Sequence, residues 1–117
     1  MLYIGEISKR SGASPKAIRL YESIGLLLNI KRRGSYRVYD EGDVKFVKLI
    51  KDAQALGVSL SDLKQLAVGH RELDWPLVIE LLSQKQHSID EEVLRLTQQK
   101  EKIEGYRKSI QQCLGTD

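Results

Sequence analysis

Cysteine occurs once in this chain of 117 residues, as Cys113, so no disulfide can form within it. A reducing cytoplasm suits such a chain. No apolar run approaches the roughly 20 residues that a membrane-spanning helix needs. The N-terminal MLYIGEISKR has no apolar signal core either, so no membrane partner is expected. Histidine is also scarce. His70 and His87 have no second ligand at metal spacing, His70 reads as a surface loop residue, and no metal site is expected. Paired carboxylates in a pocket-like context, a nucleophile beside a base and a Gly-rich phosphate loop are all missing. No catalytic residue, no cofactor and no enzymatic activity is therefore expected.

What is present is charge, unevenly spread. Residues 1–40 hold eight Lys/Arg against three Asp/Glu, a net +5, and residues 41–117 hold eleven against thirteen, a net −2. The basic end is the half that should meet a polyanion. Hydrophobic residues make up 41% of the chain, enough for a core, and the length is that of one small domain with an appended element.

Ile4 and Ile7 mark one face of a short helix over Tyr3 to Ser11, which Gly12 breaks. Ser14-Pro15 is a helix start, a good cap followed by the residue best suited to the first helical position. Ala17, Ile18 and Tyr21 keep one apolar face up to Gly25, while Lys16 and Arg19 share another side. Two short helices around a Gly-containing turn form a helix-turn-helix, whose second helix can enter a major groove. An ordinary helical hairpin would share these residues.

Leu26 to Tyr39 changes character. Lys31-Arg32-Arg33-Gly34 is a basic turn, and Ser35-Tyr36-Arg37-Val38-Tyr39 alternates in strand fashion. Together they form a two-stranded wing whose Arg and Tyr can bind phosphates and set the register of a neighbouring helix. Asp40 caps the next helix, with Asp43 as a short stand-in for the Glu of a capping box. That helix runs to Gly57. Ser59 or Ser61 starts another through Leu66, and Gly69-His70 marks a loop. Trp75-Pro76 is a helix entrance, and Gln84 to Gln112 reads as one long helix of about 43 Å. Leu82, Ile89, Leu96, Ile103 and Ile110 recur every seven residues, a coiled-coil seam. A small domain cannot cover so long a stripe, so a second copy is expected to. Val93, Tyr106 and Leu114 fill out a second line, but Gln86, Lys100 and Arg107 interrupt it and favour a short antiparallel contact.

The fold expected is mainly α: a winged helix-turn-helix DNA-binding domain plus a long antiparallel coiled-coil dimerisation helix. Residues 1–70 form the first part, with the helix-turn-helix at about 4–23 and the wing at about 28–39. Residues 71–83 form a connecting segment with a short helix, and 84–117 the dimerisation helix with a short tail.

The combination R-x-Y-E-x-x-G-L-L, Arg19 to Leu27, with Y-R-x-Y, Tyr36 to Tyr39, resembles the MerR family of bacterial transcriptional regulators. Ile4 to Ser8, Ser14 to Leu27, Gly34 to Tyr39 and Leu56 to Leu66 match it in order over roughly the first 70 residues. The chain looks like a short member without a large effector domain. The resemblance implies a cytoplasmic homodimer on a palindromic promoter operator in double-stranded DNA. Such dimers hold the promoter shut until a signal makes them bend and untwist the DNA for RNA polymerase. By matching position, Lys16 and Arg19 would contact DNA from the second helix. Tyr21 would pack beside them and touch a phosphate. Tyr36 and Arg37 would grip the backbone from the wing. Arg33 at the wing tip and Lys64 after Gly57 are further positions.

Metal-sensing members carry a cysteine at about the position of Cys113 and a second one after a short loop; here the second is missing. Three roles stay open for Cys113: an inert residue at the dimer interface, a thiol sensor of oxidants helped by Lys108, or one ligand of a metal shared across the dimer. A rival from another class is a chaperone-modulating interaction module, which uses a similar fold without binding DNA. Arg32, Arg33 and Arg37 in the wing speak against it.

Overall fold

A computed structural model describes residues 1–115. The last two positions of the expected tail, 116 and 117, lie outside the described residues. The chain divides into two compact units, 1–78 and from 79 onward.

In the first unit, helix α1 (Ile4–Ser11) ends at Gly12, whose φ of 81° is left-handed and whose N–H donates to the Ser8 carbonyl. Only glycine takes that conformation without a Cβ clash, and this makes the turn tight. Helix α2 (Pro15–Ser23) follows, its Ser14 hydroxyl accepting the Ala17 N–H at 3.0 Å. Strands β1 (Lys31–Arg33) and β2 (Tyr36–Val38) pair antiparallel, with Lys31 opposite Val38, Arg32 opposite Arg37 and Arg33 opposite Tyr36. The turn is Gly34-Ser35, with Gly34 at φ 63°. Helix α3 (Glu41–Ala55) carries a full capping box: Asp40 accepts the Asp43 N–H, and Asp43 accepts the Asp40 N–H at 3.0 Å. The short Asp side chain thus reaches back as a Glu would. Helix α4 (Leu60–Leu66) starts at Ser59 with the same reciprocal arrangement to Asp62.

Ile7, Ile18, Tyr21, Leu26, Leu27, Val47, Ile50 and Leu63 form the centre of one core, on which α1 packs against α2 and α3. Tyr39 is buried with them, and its backbone bridges to Leu2 through two hydrogen bonds of 2.9 and 2.7 Å.

Two expectations change. The loop expected at Gly69-His70 is the turn of a second hairpin, β3 (Ala67–Gly69) against β4 (Glu72–Leu73), with Leu73 buried. Helix α5 runs Trp75–Gly115, 41 residues and about 60 Å, so it begins nine residues before the expected start at Gln84. The physical reason is local. Asp74 caps the helix through the Leu77 and Val78 N–H groups at 3.2 and 2.9 Å. Pro76 falls in the first turn, where its missing N–H costs nothing. The short helix expected in 71–83 is the first part of α5 itself. No residue of α5 is buried, and Ile89, Val93, Leu96, Ile103 and Ile110 are each about half exposed or more.

Candidate nucleic-acid interface

Helix α2 presents Lys16 and Arg19 to solvent on the side away from Ile18 and Tyr21. Neither forms a hydrogen bond or ion pair among the described residues, so both charges stay available to an outside anion. Arg10 on the preceding helix differs, since its guanidinium is tied to Glu41 at the start of α3 by two hydrogen bonds of 2.6 and 2.5 Å. Lys9, Lys31, Arg32 and Arg33 are exposed.

The wing's register sorts its side chains. Arg32 and Arg37 are direct cross-strand partners and share one face, while Arg33 and Tyr36 share the other. Like charges placed opposite each other destabilise a hairpin. The structure offsets this by pairing Arg37 with Glu22 of α2, Nε to Oε2 at 2.9 Å. Both side chains are about three-quarters buried, and the bond fixes the wing to the end of α2. On the other face Tyr36, 68% exposed, meets Tyr3 edge-on with ring centroids 5.8 Å apart. Arg33 reaches the Met1 sulfur at 3.6 Å and keeps an exposed side chain.

Tyr21 is placed otherwise than expected. It is 2% exposed, and its hydroxyl donates to Gln54 Oε1 of α3 at 2.5 Å. Burial raises its phenol above the ordinary value. It packs under the basic face of α2 and does not reach the surface on which a phosphate would lie. Lys64 is exposed on α4, and Cys113 is exposed on α5. Among the described residues no group of three or more His, Cys, Asp or Glu is placed to hold a metal ion, and no helix is long and apolar enough to cross a membrane.

The family model described as "MerR HTH family regulatory protein" matches residues 2–68, more than half of the chain and the segment that contains α1, α2 and the wing. The chain belongs to the MerR family. A second model, "MerR, DNA binding", matches residues 44–106 and reaches into α5. The MerR relatives include the HTH-type transcriptional regulator HmrR of Rhizobium leguminosarum bv. viciae. It is 31% identical over 116 residues, which cover 97% of this chain and 88% of that protein. The heavy metal-dependent transcription regulator 2 of Rhizobium meliloti is 44% identical over 59% of this chain and 48% of its own length. The mercuric resistance operon regulatory protein of Pseudomonas fluorescens is 44% identical over 56% of this chain and 46% of its own. The match therefore spans about half the length of these last two relatives. A solved Listeria monocytogenes structure, assigned to the MerR transcriptional regulators, superposes over 96% of this chain and 85% of that one. Its TM-score is 0.56 at 26% identity.

Sequence reasoning singled out Lys16, Arg19, Arg33, Tyr36 and Arg37, and the structure brings all five onto α2 and the adjoining wing. It missed that Glu22 holds Arg37. The signal was present, because Glu22 lies within the MerR motif that contains Arg19 and Tyr21. It also missed a cluster at the wing's root. There His70 Nδ1 accepts the Leu28 N–H at 2.9 Å, and Arg71 pairs with Asp40 at 2.8 Å. Asp43 in that cluster is 4% exposed, and desolvation raises its carboxyl above the ordinary range. Asp40, exposed and accepting the Asp43 N–H, is held below that range.

Proposed function

We propose that this MerR family chain is a transcription regulator that binds a palindromic promoter operator in double-stranded DNA as a homodimer. The observation that carries the reading is the pair of unpaired cations, Lys16 and Arg19, on α2 beside a basic wing braced by Glu22. A helix in the major groove reads base edges with such residues, and a wing grips the flanking phosphates. Lys16 and Arg19 take the first role. Tyr36 and Arg33, and the part of Arg37 not engaged by Glu22, take the second.

The exposed apolar heptad of α5 supports pairing with a second copy. In a two-fold dimer two copies of α2 would face two half-sites, so operator symmetry follows from protein symmetry. Control by bending or untwisting the promoter for RNA polymerase, inside the cytoplasm, completes the reading. The signal enters near the far end of α5. Cys113 is the exposed thiol there, and relatives of this chain are described as heavy metal-dependent and mercuric resistance regulators. No catalytic role is assigned.

The test is a gel-shift titration of the purified chain against DNA from its own upstream region, over a salt series, reduced and oxidised in parallel. Tight, salt-sensitive binding to a palindromic fragment supports the reading, and a redox difference points to Cys113. A folded dimer that binds no DNA in either state sinks it and favours a protein-interaction module.

A further inference from the structure

Each strand of the wing has three residues, too few for an isolated hairpin to hold its pose. The Arg37–Glu22 bond braces β2 against α2, and the second hold on its orientation lies at the root, where the chain enters from α2 and leaves into α3. One turn, His70-Arg71 between β3 and β4, touches both legs. On the incoming leg the Leu26 carbonyl accepts the Arg71 N–H at 2.9 Å, and the Leu28 N–H donates to His70 Nδ1 at 2.9 Å. On the outgoing leg Arg71 Nη1 donates to Asp40 Oδ1 at 2.8 Å. Behind them Asp43 Oδ1 is buried without a hydrogen bond and faces Arg71 Nη1 at 3.6 Å and His70 Nε2 at 3.7 Å.

Three details show that this arrangement is built. A Cβ on Gly42 would lie 1.8 Å from Arg71 Nη1, so glycine leaves room for the guanidinium over the first turn of α3. Asn29 and Arg71 are the two non-glycine residues with positive φ among those described, at 53° and 52°. One lies on the incoming leg and the other in the turn that holds it. Such backbone persists where its surroundings over-determine it. Finally, an Nδ1 that accepts an N–H leaves the ring proton on Nε2, the nitrogen turned toward the Asp43 carboxylate.

Resting on the DNA-binding reading, we propose that the His70-Arg71 turn is a clamp that fixes the wing at its root, with His70 as the positioning residue. In this proposal His70 acts through the wing and needs no DNA contact of its own. It holds the Leu28 amide, Arg71 holds Leu26 and Asp40, and the wing is thereby aimed along α2.

The test compares the full chain with His70→Asn, His70→Gln and His70→Ala. Asn places an acceptor where Nδ1 stood, Gln places one where Nε2 stood, and Ala places none. Amide hydrogen exchange of Leu28 is followed by NMR without DNA, and operator affinity by titration. The parent and His70→Asn should protect the Leu28 amide and bind DNA within about twofold of each other. His70→Gln and His70→Ala should lose that protection and bind roughly three- to tenfold more weakly, the range expected for one lost hydrogen bond. Asn and Gln are both neutral amides, so a mere loss of packing or charge would not separate them. Equal Leu28 protection in all four proteins overturns the clamp. Lost protection with unchanged affinity overturns its positioning role. A parent that binds no DNA overturns the DNA-binding reading alone, and the Leu28 amide still decides the clamp.

Discussion

Arg37 Nε lies 2.9 Å from Glu22 Oε2, which joins the second strand of the wing to the last turn of α2. An arginine on a basic wing would ordinarily be assigned to a phosphate. Here its Nε is already engaged by a carboxylate inside the protein, so its first duty is geometric. Arg37→Ala should weaken binding to every DNA sequence, because the wing loses its brace to α2. The slope of log affinity against log salt should fall by less than one, since a cation already paired with Glu22 releases fewer counterions than a free one. A loss of a full unit of slope would show that Arg37 faces a phosphate and not Glu22 in the complex.

Lys16 and Arg19 should behave the opposite way. Each is exposed and unpaired, so replacing either with Ala should lower the salt slope by about one if it meets a phosphate. A residue that reads a base should instead relax sequence preference at one operator position, by about 1–3 kcal/mol of discrimination. Titrations on operator and on random DNA separate the two. Parent-like binding by both variants would show that α2 does not face the DNA.

Tyr21→Phe should separate stability from binding. The change deletes the hydroxyl that donates to Gln54 and leaves Gln54 short of a donor. Denaturant unfolding should show a loss of about 1 kcal/mol. Operator affinity measured on the folded variant should match the parent. Weakened binding without destabilisation would return Tyr21 to the interface.

The pH dependence of stability should carry two carboxylate signatures of opposite sign. Burial raises the Asp43 carboxyl above the ordinary 3.8. The folded chain therefore holds that proton more tightly than the unfolded chain, and stability falls as pH rises from 3.8 through the raised value. Asp40 is lowered below 3.8, chiefly by the Asp43 N–H, so its contribution is present above 3.8 and lost as pH falls through the lowered value. Asp43→Asn should remove the first signature and keep the second. An unchanged stability–pH curve in that variant would show that Asp43 is not proton-linked to folding.

Leu96→Glu with Ile103→Glu should yield monomers by sedimentation and abolish tight operator binding. Both side chains are about half exposed on α5 and belong to the heptad line. Charges there would be buried against a partner without counter-ions. A double variant that stays dimeric places the contact elsewhere.

Most of the first unit could be read from the chain because its determinants are local. Gly12 needs φ 81° for a turn, Ser14 and Asp40 cap the residues three ahead of them, and Arg33-Gly34-Ser35 folds on itself. What escaped was long-range or ambiguous in spacing. Tyr21 sits on the boundary between the apolar and basic sides of α2, and only Gln54, 33 residues on, draws its hydroxyl inward. Leu28 and His70 are 42 residues apart, so no periodicity could pair them. The strands at 67–69 and 72–73 are too short for alternation to show. The start of α5 is hidden in the sequence because Trp75-Pro76 marks only an entrance, whereas Asp74 in front of it caps a helix of 41 residues.

That helix has a consequence for gene dosage. Along α5 the ion pairs include short-range ones such as His87 with Glu91, Arg95 with Glu92 and Arg107 with Glu104, each weak on an exposed helix. Under the proposed pairing, much of what keeps its far half ordered comes from the second copy, and folding of that half is inseparable from assembly. Far-ultraviolet helix signal would then rise with protein concentration. Well below the dimer constant, operator occupancy would grow as the square of the number of chains made. The cell could regulate such a protein by supply before any signal reaches it.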